Sequence, residues 1–266
     1  MPPERFHLAE AEILVGEDAD EAIRIAAGQL TALARKLSAA GKAVSVALSG
    51  GSTPRRLFQQ LAAEPFAGLV PWPSVQFFWG DERNVPPGDK DSNYSMAREL
   101  LLSRVPVPAG NIHRIPTGDG TAVEAADLYE RTLREMLPVA HGWPRFDYVL
   151  LGLGTNGHTA SLFPHRPTLH EATRLVVADH VEEVNSWRVT LTVPVLNNAA
   201  QITFLATGKD KAAVVKKVIE GGRDPETTPA QLIAARNGAL SWILDSDAAS
   251  ELTRPNENRA APGAAE

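Results

Sequence analysis

The 266 residues carry a formal net charge of −6, with 44% hydrophobic and 22% charged residues, which is the composition of a globular protein able to bury a sizeable core. This balance excludes a strongly basic nucleic-acid-binding protein, so an anionic ligand would have to be met by a local cluster of cations. The sequence contains no cysteine, which excludes disulfides, thiolate nucleophiles and cysteine-bound zinc. No stretch approaches the roughly 20 apolar residues of a membrane span, and we expect a cytoplasmic protein.

Predicted helices and strands alternate along the chain. Apolar residues every three or four positions indicate helices, and short, almost wholly apolar runs indicate buried strands. In chain order the patterns predict a helix over residues 18 to 40, a strand over Val44 to Leu48, a helix from Pro54 with Thr53 as its cap, a strand over Val75 to Trp79, a helix capped by Ser92 or Asn93, a helix over residues 122 to 137, strands over Phe146 to Leu153, Arg188 to Val193 and Ile202 to Ala206, a helix over Asp210 to Ile219 and a strand over Leu240 to Leu244.

This alternation predicts an α/β fold with a mostly parallel sheet and helices on both faces. We expect residues 1 to 247 to form a single domain. Residues 248 to 266 are rich in Ala, Glu, Asn and Pro and poor in large apolar residues, which predicts a disordered C-terminal tail.

Three unusual polar segments follow predicted strands, after Leu48, after Trp79 and after Leu153. In parallel sheets, ligands bind beyond the carboxyl ends of the strands. The three segments are therefore expected to converge on one edge of the sheet and to form a single site.

The first segment, Ser49 to Pro54, contains two adjacent glycines and then a helix start. Gly50 and Gly51 allow the backbone to approach a ligand closely, and the helix offers unpaired N–H groups. Ser52 adds a hydroxyl. The segment is either a phosphate cradle or only a tight strand-to-helix turn, and it lacks the Gly-Lys-Ser/Thr of a P-loop.

The second segment concentrates charge in Asp81, Glu82 and Arg83, within a predicted polar loop from Gly80 to Gly88. Such a cluster can be a solvated loop. The flanking Trp79 favours a more rigid, partly buried setting, in which a carboxylate beside Arg83 stays ionised.

The third segment contains Gly152, Gly154 and Gly157 in the spacing of a dinucleotide-binding loop, but Pro164 interrupts the helix that should follow. His158 comes directly after this loop. Because the ordinary pKa of histidine is ~6.5, His158 suits proton transfer near neutral pH. The alternative is a histidine that only hydrogen-bonds the backbone.

Two further cations lie at element boundaries, Arg188 at the start of a predicted strand and Lys211 at a strand-to-helix junction. Arginine binds phosphate through two points and lysine as a point charge. Spacing alone does not single them out among the 26 Lys and Arg residues.

Together these segments resemble the 6-phosphogluconolactonase family, in family order and from about residue 12 to residue 244. The matching pieces are Ser49-Gly50-Gly51-Ser52-Thr53-Pro54, Trp79-Gly80-Asp81-Glu82-Arg83 with Val85-Pro86 and Ser92-Asn93, Gly152-Leu153-Gly154 with Gly157-His158-Thr159-Ala160-Ser161-Leu162-Phe163-Pro164, Arg188-Val189-Thr190-Leu191-Thr192 with Pro194 and Asn197, and Gly208 with Lys211-Ala212.

The resemblance implies a Rossmann-like fold shared with glucosamine-6-phosphate deaminase and ribose-5-phosphate isomerase. It implies hydrolysis of 6-phosphogluconolactone in the pentose phosphate pathway, with no organic cofactor and no required metal. The expected partner is a small sugar-phosphate lactone, and we expect a monomer that binds neither nucleic acid nor membranes.

Residue roles are implied by position in the family. The implied phosphate site consists of Gly50, Gly51, Ser52, Arg188 and Lys211. His158 is the implied catalytic base, with Asp81 and Arg83 beside it. Asn156 and Gly157 are secondary, and Asn156 stands where the family usually has Asp, so that it can orient His158 by hydrogen bonding but not by charge.

Two other functions would use the same fold. A glucosamine-6-phosphate deaminase would share the phosphate cradle and the histidine, but it has two working carboxylates, and Asn156 occupies one of those positions. A sugar-phosphate-sensing regulator would carry a DNA-binding helical module, for which the segment before Val44 is too short.

Overall fold

The computed structural model of the chain describes residues 3 to 254. The strands are β1 (Glu4–Leu8), β2 (Ala11–Gly16), β3 (Val44–Leu48), β4 (Val75–Trp79), β5 (Asp81–Arg83), β6 (Val139–Ala140), β7 (Trp143–Pro144), β8 (Tyr148–Leu151), β9 (Val176–Val181), β10 (Ser186–Leu191), β11 (Gln201–Ala206) and β12 (Ala239–Asp245). The helices are α1 (Ala19–Ala39), α2 (Ser52–Leu61), α3 (Phe66–Leu69), α4 (Asn93–Ala97), α5 (Ala122–Met136), α6 (Val193–Asn197) and α7 (Ala212–Ile219).

The larger sheet has the strand order β1-β2-β12-β11-β8-β3-β4. Every neighbouring pair is parallel except β1 and β2, which form an antiparallel hairpin at one edge. The predicted α/β class with a mostly parallel sheet is confirmed. The sequence patterns missed β1 and β2. β1 is an edge strand with one exposed face and lacks the continuous apolar run of a buried strand, and Glu12 interrupts that run in β2.

The chain reverses direction across this sheet at β3. From β3 it moves outward to β4, and it later returns to β8 on the other side of β3. Such a switch point leaves a crevice at the carboxyl ends of the central strands. The polar segments after β3, β4 and β8 consequently meet there, and their predicted convergence is confirmed.

A second, antiparallel sheet of order β5-β10-β9 adjoins the first. Gly80 joins the two sheets, since its N–H donates to Leu48 O at 2.8 Å and its carbonyl accepts from Leu191 N at 2.9 Å. One prediction is corrected here, since Asp81 to Arg83 are a strand and not part of a loop. The strand predicted from Arg188, β10, lies in this second sheet and not in the parallel one. A strand of three residues that are all charged gives no apolar pattern to recognise.

Helix α5 packs against β9 and β10 and carries Tyr129, which is fully buried. The Tyr129 hydroxyl accepts from Trp79 N at 2.8 Å and donates to Trp79 O at 3.0 Å. Both backbone groups of Trp79 on the open edge of β4 are thereby satisfied without a neighbouring strand. This pair of bonds fixes the end of β4 immediately before Gly80.

Of the two predicted helix caps, one is confirmed. Ser92 caps α4 by accepting from Ser95 N at 3.0 Å. Thr53 is not a cap, because α2 already begins at Ser52 and its capping position is Gly51. Pro54 therefore lies at the third helical position and not at the first.

The predicted boundary of the tail at residue 248 is wrong. Ala248 and Ala249 are fully buried, Leu252 is 5% exposed, and Asp245 Oδ1 accepts from Ala248 N at 2.8 Å. Small alanine side chains pack closely against the end of the domain, which an inspection for large apolar residues does not detect. The remainder of the predicted tail, residues 255 to 266, lies outside the described residues.

We predict that Leu252→Ala lowers the free energy of unfolding by about 2–3 kcal/mol, the lower part of the range for buried leucines, because a chain end can relax into the cavity. Glu251→Ala, at the exposed neighbouring position, is the matched control and should change it by less than about 0.5 kcal/mol. Urea denaturation of both variants is the measurement. Equal free energies of unfolding for L252A and E251A would mean that residues 248 to 254 do not pack on the domain in solution.

Candidate active site

A cleft of about 380 Å³ lies at the carboxyl ends of β3, β4 and β8, with the second sheet forming one wall. It brings together nine of the predicted site residues: Gly50, Gly51, Ser52, Asp81, Arg83, Asn156, His158, Arg188 and Lys211. Gly157 does not line the cleft. It is buried behind the loop, where its carbonyl accepts from Ala230 N at 2.9 Å.

The floor of the cleft at one end is the N-terminus of α2. Gly51 has φ +102°, a conformation that a residue with a Cβ rarely adopts, and no side chain among the described residues caps the helix. The first turn also contains no acidic residue. The unpaired N–H groups and the helix dipole therefore favour an anion at this position.

Two arginines lie directly opposite each other across the β5–β10 pair, Arg83 and Arg188. Like charges in this register destabilise an antiparallel pair. Burial lowers the pKa of the Arg188 guanidinium, and the charge of Arg83 lowers it further. The buried Nε of Arg188 has no hydrogen-bond partner within residues 3 to 254, so this arginine has donor capacity left for a ligand.

The third cation is Lys211, whose side chain is 21% exposed. Its Nζ lies 3.5 Å from Asp210 Oδ2. The first turn of α2 is tied to the loop that precedes Lys211 by a hydrogen bond of 3.2 Å between Thr53 Oγ1 and Thr207 Oγ1. The helix N-terminus and three cations thus line one cleft on a chain of net charge −6.

Strand alternation in β5 separates the roles of the charged residues in the second segment. Asp81 and Arg83 line the cleft, whereas Glu82 points to the opposite side. The buried Glu82 carboxylate accepts from the backbone N–H groups of Arg83, Asn93 and Tyr94 at 2.7–2.8 Å and from Ser92 Oγ at 3.0 Å. Burial raises the pKa of Glu82, and these backbone donors oppose the rise. Glu82 fastens the start of α4 to β5.

Asp81 is 6% exposed and is oriented by two neighbours. Ser161 Oγ donates to Asp81 Oδ2 at 2.6 Å. Asn93 Nδ2 donates to the Asp81 carbonyl at 3.0 Å and lies 3.4 Å from Oδ1. The carboxylate is therefore held in one position at the wall of the cleft.

The His158 ring is held by a hydrogen bond at one edge and by stacking on one face. Asn156 Oδ1 accepts from His158 Nδ1 at 2.6 Å and from the His158 backbone N–H at 3.2 Å, and Phe163 stacks on the imidazole with 4.2 Å between ring centroids. Because an amide oxygen can only accept, Nδ1 carries the proton in neutral His158. The other nitrogen, Nε2, has no hydrogen-bond partner in the described part of the chain and is free to accept a proton from a bound molecule.

The pKa of His158 is lowered mainly by burial. The carboxylates of Asp81 and Glu183 raise it, and the cations Arg188 and Lys211 lower it. Because the pKa is lowered overall, the imidazole is neutral at neutral pH, which is the state that a general base requires.

The cleft also contains residues to which the sequence analysis assigned no role in binding or catalysis, among them Asn93, Ser161, Phe163 and Glu183. The first three lie inside the matching motifs, so closer attention to those motifs could have found them. Glu183 lies on a turn between β9 and β10, where no sequence signal distinguishes it from any other exposed glutamate.

We predict that Gly154→Ala raises the pKa of His158 towards its ordinary value. A Cβ at Gly154 would lie 2.1 Å from His158 Nδ1, so the ring must leave its buried position. In the control Gly152→Ala, the Cβ meets nothing closer than Ser49 Oγ at 3.7 Å, and the pKa should stay as in the wild type. NMR titration of His158 measures both, and an unchanged pKa in G154A would contradict the described packing.

Within residues 3 to 254, no helix is both long and apolar enough to cross a bilayer. The same residues contain no cluster of three or more His, Asp or Glu side chains that could hold a metal ion.

Comparison with known proteins agrees with the fold. The chain is 39% identical to the 6-phosphogluconolactonase of Haemophilus influenzae, over 76% of this chain and 84% of that protein. The solved structure of the 6-phosphogluconolactonase of Trypanosoma brucei superposes with a TM-score of 0.82 at 30% identity, over 93% of this chain and all of that one. A monomeric glucosamine-6-phosphate deaminase, at 19% identity and a TM-score of 0.76, shares the fold, over 90% of this chain and 99% of that one.

A family model described as glucosamine-6-phosphate isomerases/6-phosphogluconolactonase matches residues 17–242. The match covers the whole second sheet, strands β3, β4, β8 and β11 of the larger sheet, and every segment that lines the cleft. The chain therefore belongs to the glucosamine-6-phosphate isomerase and 6-phosphogluconolactonase family.

Proposed function

We propose that the protein is a carboxylic ester hydrolase that converts 6-phospho-D-glucono-1,5-lactone to 6-phosphogluconate in the oxidative pentose phosphate pathway. The observation that carries the proposal is the presence, in one cleft, of a neutral histidine with a free Nε2 and a cation-rich helix N-terminus. The relatives named 6-phosphogluconolactonase support the same reaction.

The phosphate of the substrate binds at the N-terminus of α2, to the amides of Gly51 and Ser52, with Arg188 and Lys211 around it. A phosphate dianion there relieves the repulsion between Arg188 and Arg83 and supplies acceptors for the buried Arg188 Nε. The cleft lies within one chain, so we propose that the enzyme works as a monomer, and we propose the cytoplasm as its location.

His158 acts as the general base. A water molecule attacks C1 of the lactone while its proton passes to His158 Nε2, and a tetrahedral oxyanion forms. When the bond between C1 and the ring oxygen breaks, the imidazolium returns the proton to that oxygen, which leaves as the hydroxyl of the open-chain acid. No bond to the protein forms, which agrees with a sequence without cysteine or a Gly-x-Ser-x-Gly nucleophile elbow.

Arg83 and Asp81 stabilise the charges that develop during this step. Arg83 stabilises the oxyanion or positions the lactone, since it lines the same cleft as His158, on the wall formed by β5. Asp81 stabilises the transient imidazolium, since its carboxylate raises the pKa of His158.

The first test is hydrolysis of enzymatically generated 6-phosphogluconolactone, corrected for spontaneous hydrolysis, by the wild type and by His158→Ala. Loss of general base catalysis should lower kcat by about 10²–10⁴-fold and leave KM nearly unchanged. Near-wild-type kcat would show that the base is assigned wrongly. Consumption of glucosamine 6-phosphate in place of the lactone would establish the deaminase instead.

Arg188→Ala should raise KM by about one to two orders of magnitude, because hydrogen bonds to a charged group are worth roughly 1.5–3 kcal/mol. Gluconolactone without phosphate serves as the control substrate, and its poor turnover should be insensitive to the substitution. Equal wild-type KM values for the two lactones would contradict the proposed phosphate site.

The pH dependence follows from the direction of the pKa shift. The base must be neutral, so kcat/KM should be constant at neutral pH and fall as the pH drops through the pKa of His158. Because burial lowers this pKa below the ordinary value of ~6.5, the midpoint of the fall should lie below pH ~6.5. A profile that still rises above neutral pH would identify a different group as the base.

A further inference from the structure

Asn156 makes hydrogen bonds in two directions. Its Oδ1 accepts from the His158 ring, and its Nδ2 lies 3.2 Å from both Oε1 and Oε2 of Glu183. A continuous chain of hydrogen bonds therefore runs from the imidazole through the amide to a carboxylate. Glu183 also lines the cleft.

The turn that carries Glu183 is anchored from outside the cleft. Glu183 lies in the 3-10 turn Glu182–Val184, at the tip of the β9–β10 hairpin. Arg166 forms a bidentate ion pair with Asp179 of β9, in which Nε donates to Oδ2 at 2.8 Å and Nη2 to Oδ1 at 2.7 Å. Arg166 Nη2 also donates to the His180 carbonyl at 3.0 Å. This clamp holds the hairpin tip against the segment that follows the His158 loop.

We propose that Glu183 is a positioning residue for His158, acting through Asn156 as the distal carboxylate of a His158–Asn156–Glu183 chain. The proposal rests on the proposed function in which His158 is the general base. Nothing in the reaction requires Glu183 to touch the substrate, and no proton needs to travel along the chain.

The physical effect has two parts. Glu183 fixes the amide of Asn156 with its oxygen towards His158, which holds the ring and keeps the proton on Nδ1. Its negative charge also favours the imidazolium that forms when Nε2 accepts a proton, alongside Asp81 and against Arg188 and Lys211. The neutral amide of Asn156 cannot provide that charge itself. The carboxylate of Glu183, one hydrogen bond further from the ring, supplies it.

The matched pair of variants is Glu183→Gln and Glu182→Gln. Both remove one negative charge from the same exposed turn, but Glu182 is paired with Arg166 and not with Asn156. We expect E183Q to lower kcat by about two- to fivefold, because the lost interaction is partly exposed, with KM changed by less than about twofold. It should also lower the pKa of His158, measured by NMR titration without substrate. E182Q should change neither quantity.

The substitution Asn156→Asp provides a test in which the effect of E183Q on kcat should change sign. It places a carboxylate beside that of Glu183, so the two repel each other. In the N156D background, the introduced carboxylate itself supplies the negative charge next to His158, so that E183Q mainly converts the repulsion into a hydrogen bond and should raise kcat, whereas it lowers kcat in the wild type. A purely structural role of the turn would give a loss of the same size in both backgrounds.

The proposal is overturned if E183Q leaves the His158 pKa unchanged, if E182Q shifts that pKa equally, or if E183Q lowers kcat to the same extent in both backgrounds. The NMR titration needs no substrate and is independent of the reaction. Failure of the wild type to hydrolyse the lactone would thus refute the proposed function, whereas an unchanged pKa in E183Q would refute the role of Glu183.

Discussion

The site depends on how the chain crosses from one sheet to the other at Gly80. This single residue hydrogen-bonds to Leu48 of the parallel sheet and to Leu191 of the antiparallel sheet, and Trp79 before it is held by both bonds of the Tyr129 hydroxyl. Because the backbone has no freedom at this junction, β5 leaves it in one direction only. Strand alternation then places Asp81 and Arg83 towards the cleft and Glu82 away from it.

The same geometry creates an electrostatic imbalance that prepares the cleft for an anion. Arg83 and Arg188 lie directly opposite each other on β5 and β10, and the register of the two strands brings their positive charges together on one wall of the cleft. Their repulsion is a cost to the folded state without ligand, and in the binding mode that we propose the phosphate offsets it. Preorganised charge of this kind explains how a chain with a net charge of −6 can still recognise an anionic substrate.

The environment of His158 meets two requirements of the general base that we propose. Burial against Phe163 and Gly154 lowers its pKa and keeps it neutral, while the carboxylates of Asp81 and Glu183 favour its charged form. A carboxylate hydrogen-bonded directly to His158 Nδ1 would favour the imidazolium more strongly. With Asn156 at that position, the negative charge is moved one residue further away, and the neutral form persists to lower pH.

The α/β class, most strands of the parallel sheet and the convergence of the segments after Leu48, Trp79 and Leu153 could be predicted from the sequence, because buried strands and glycine-rich turns leave local patterns. The resemblance to a family then singled out Arg188 and Lys211, which spacing alone could not. Only the tertiary structure decided the second sheet, the burial of Ala248 and Ala249 and the contact between Asn156 and Glu183. These features come from register and long-range packing between residues distant in the chain, and such contacts leave no periodicity in the sequence itself.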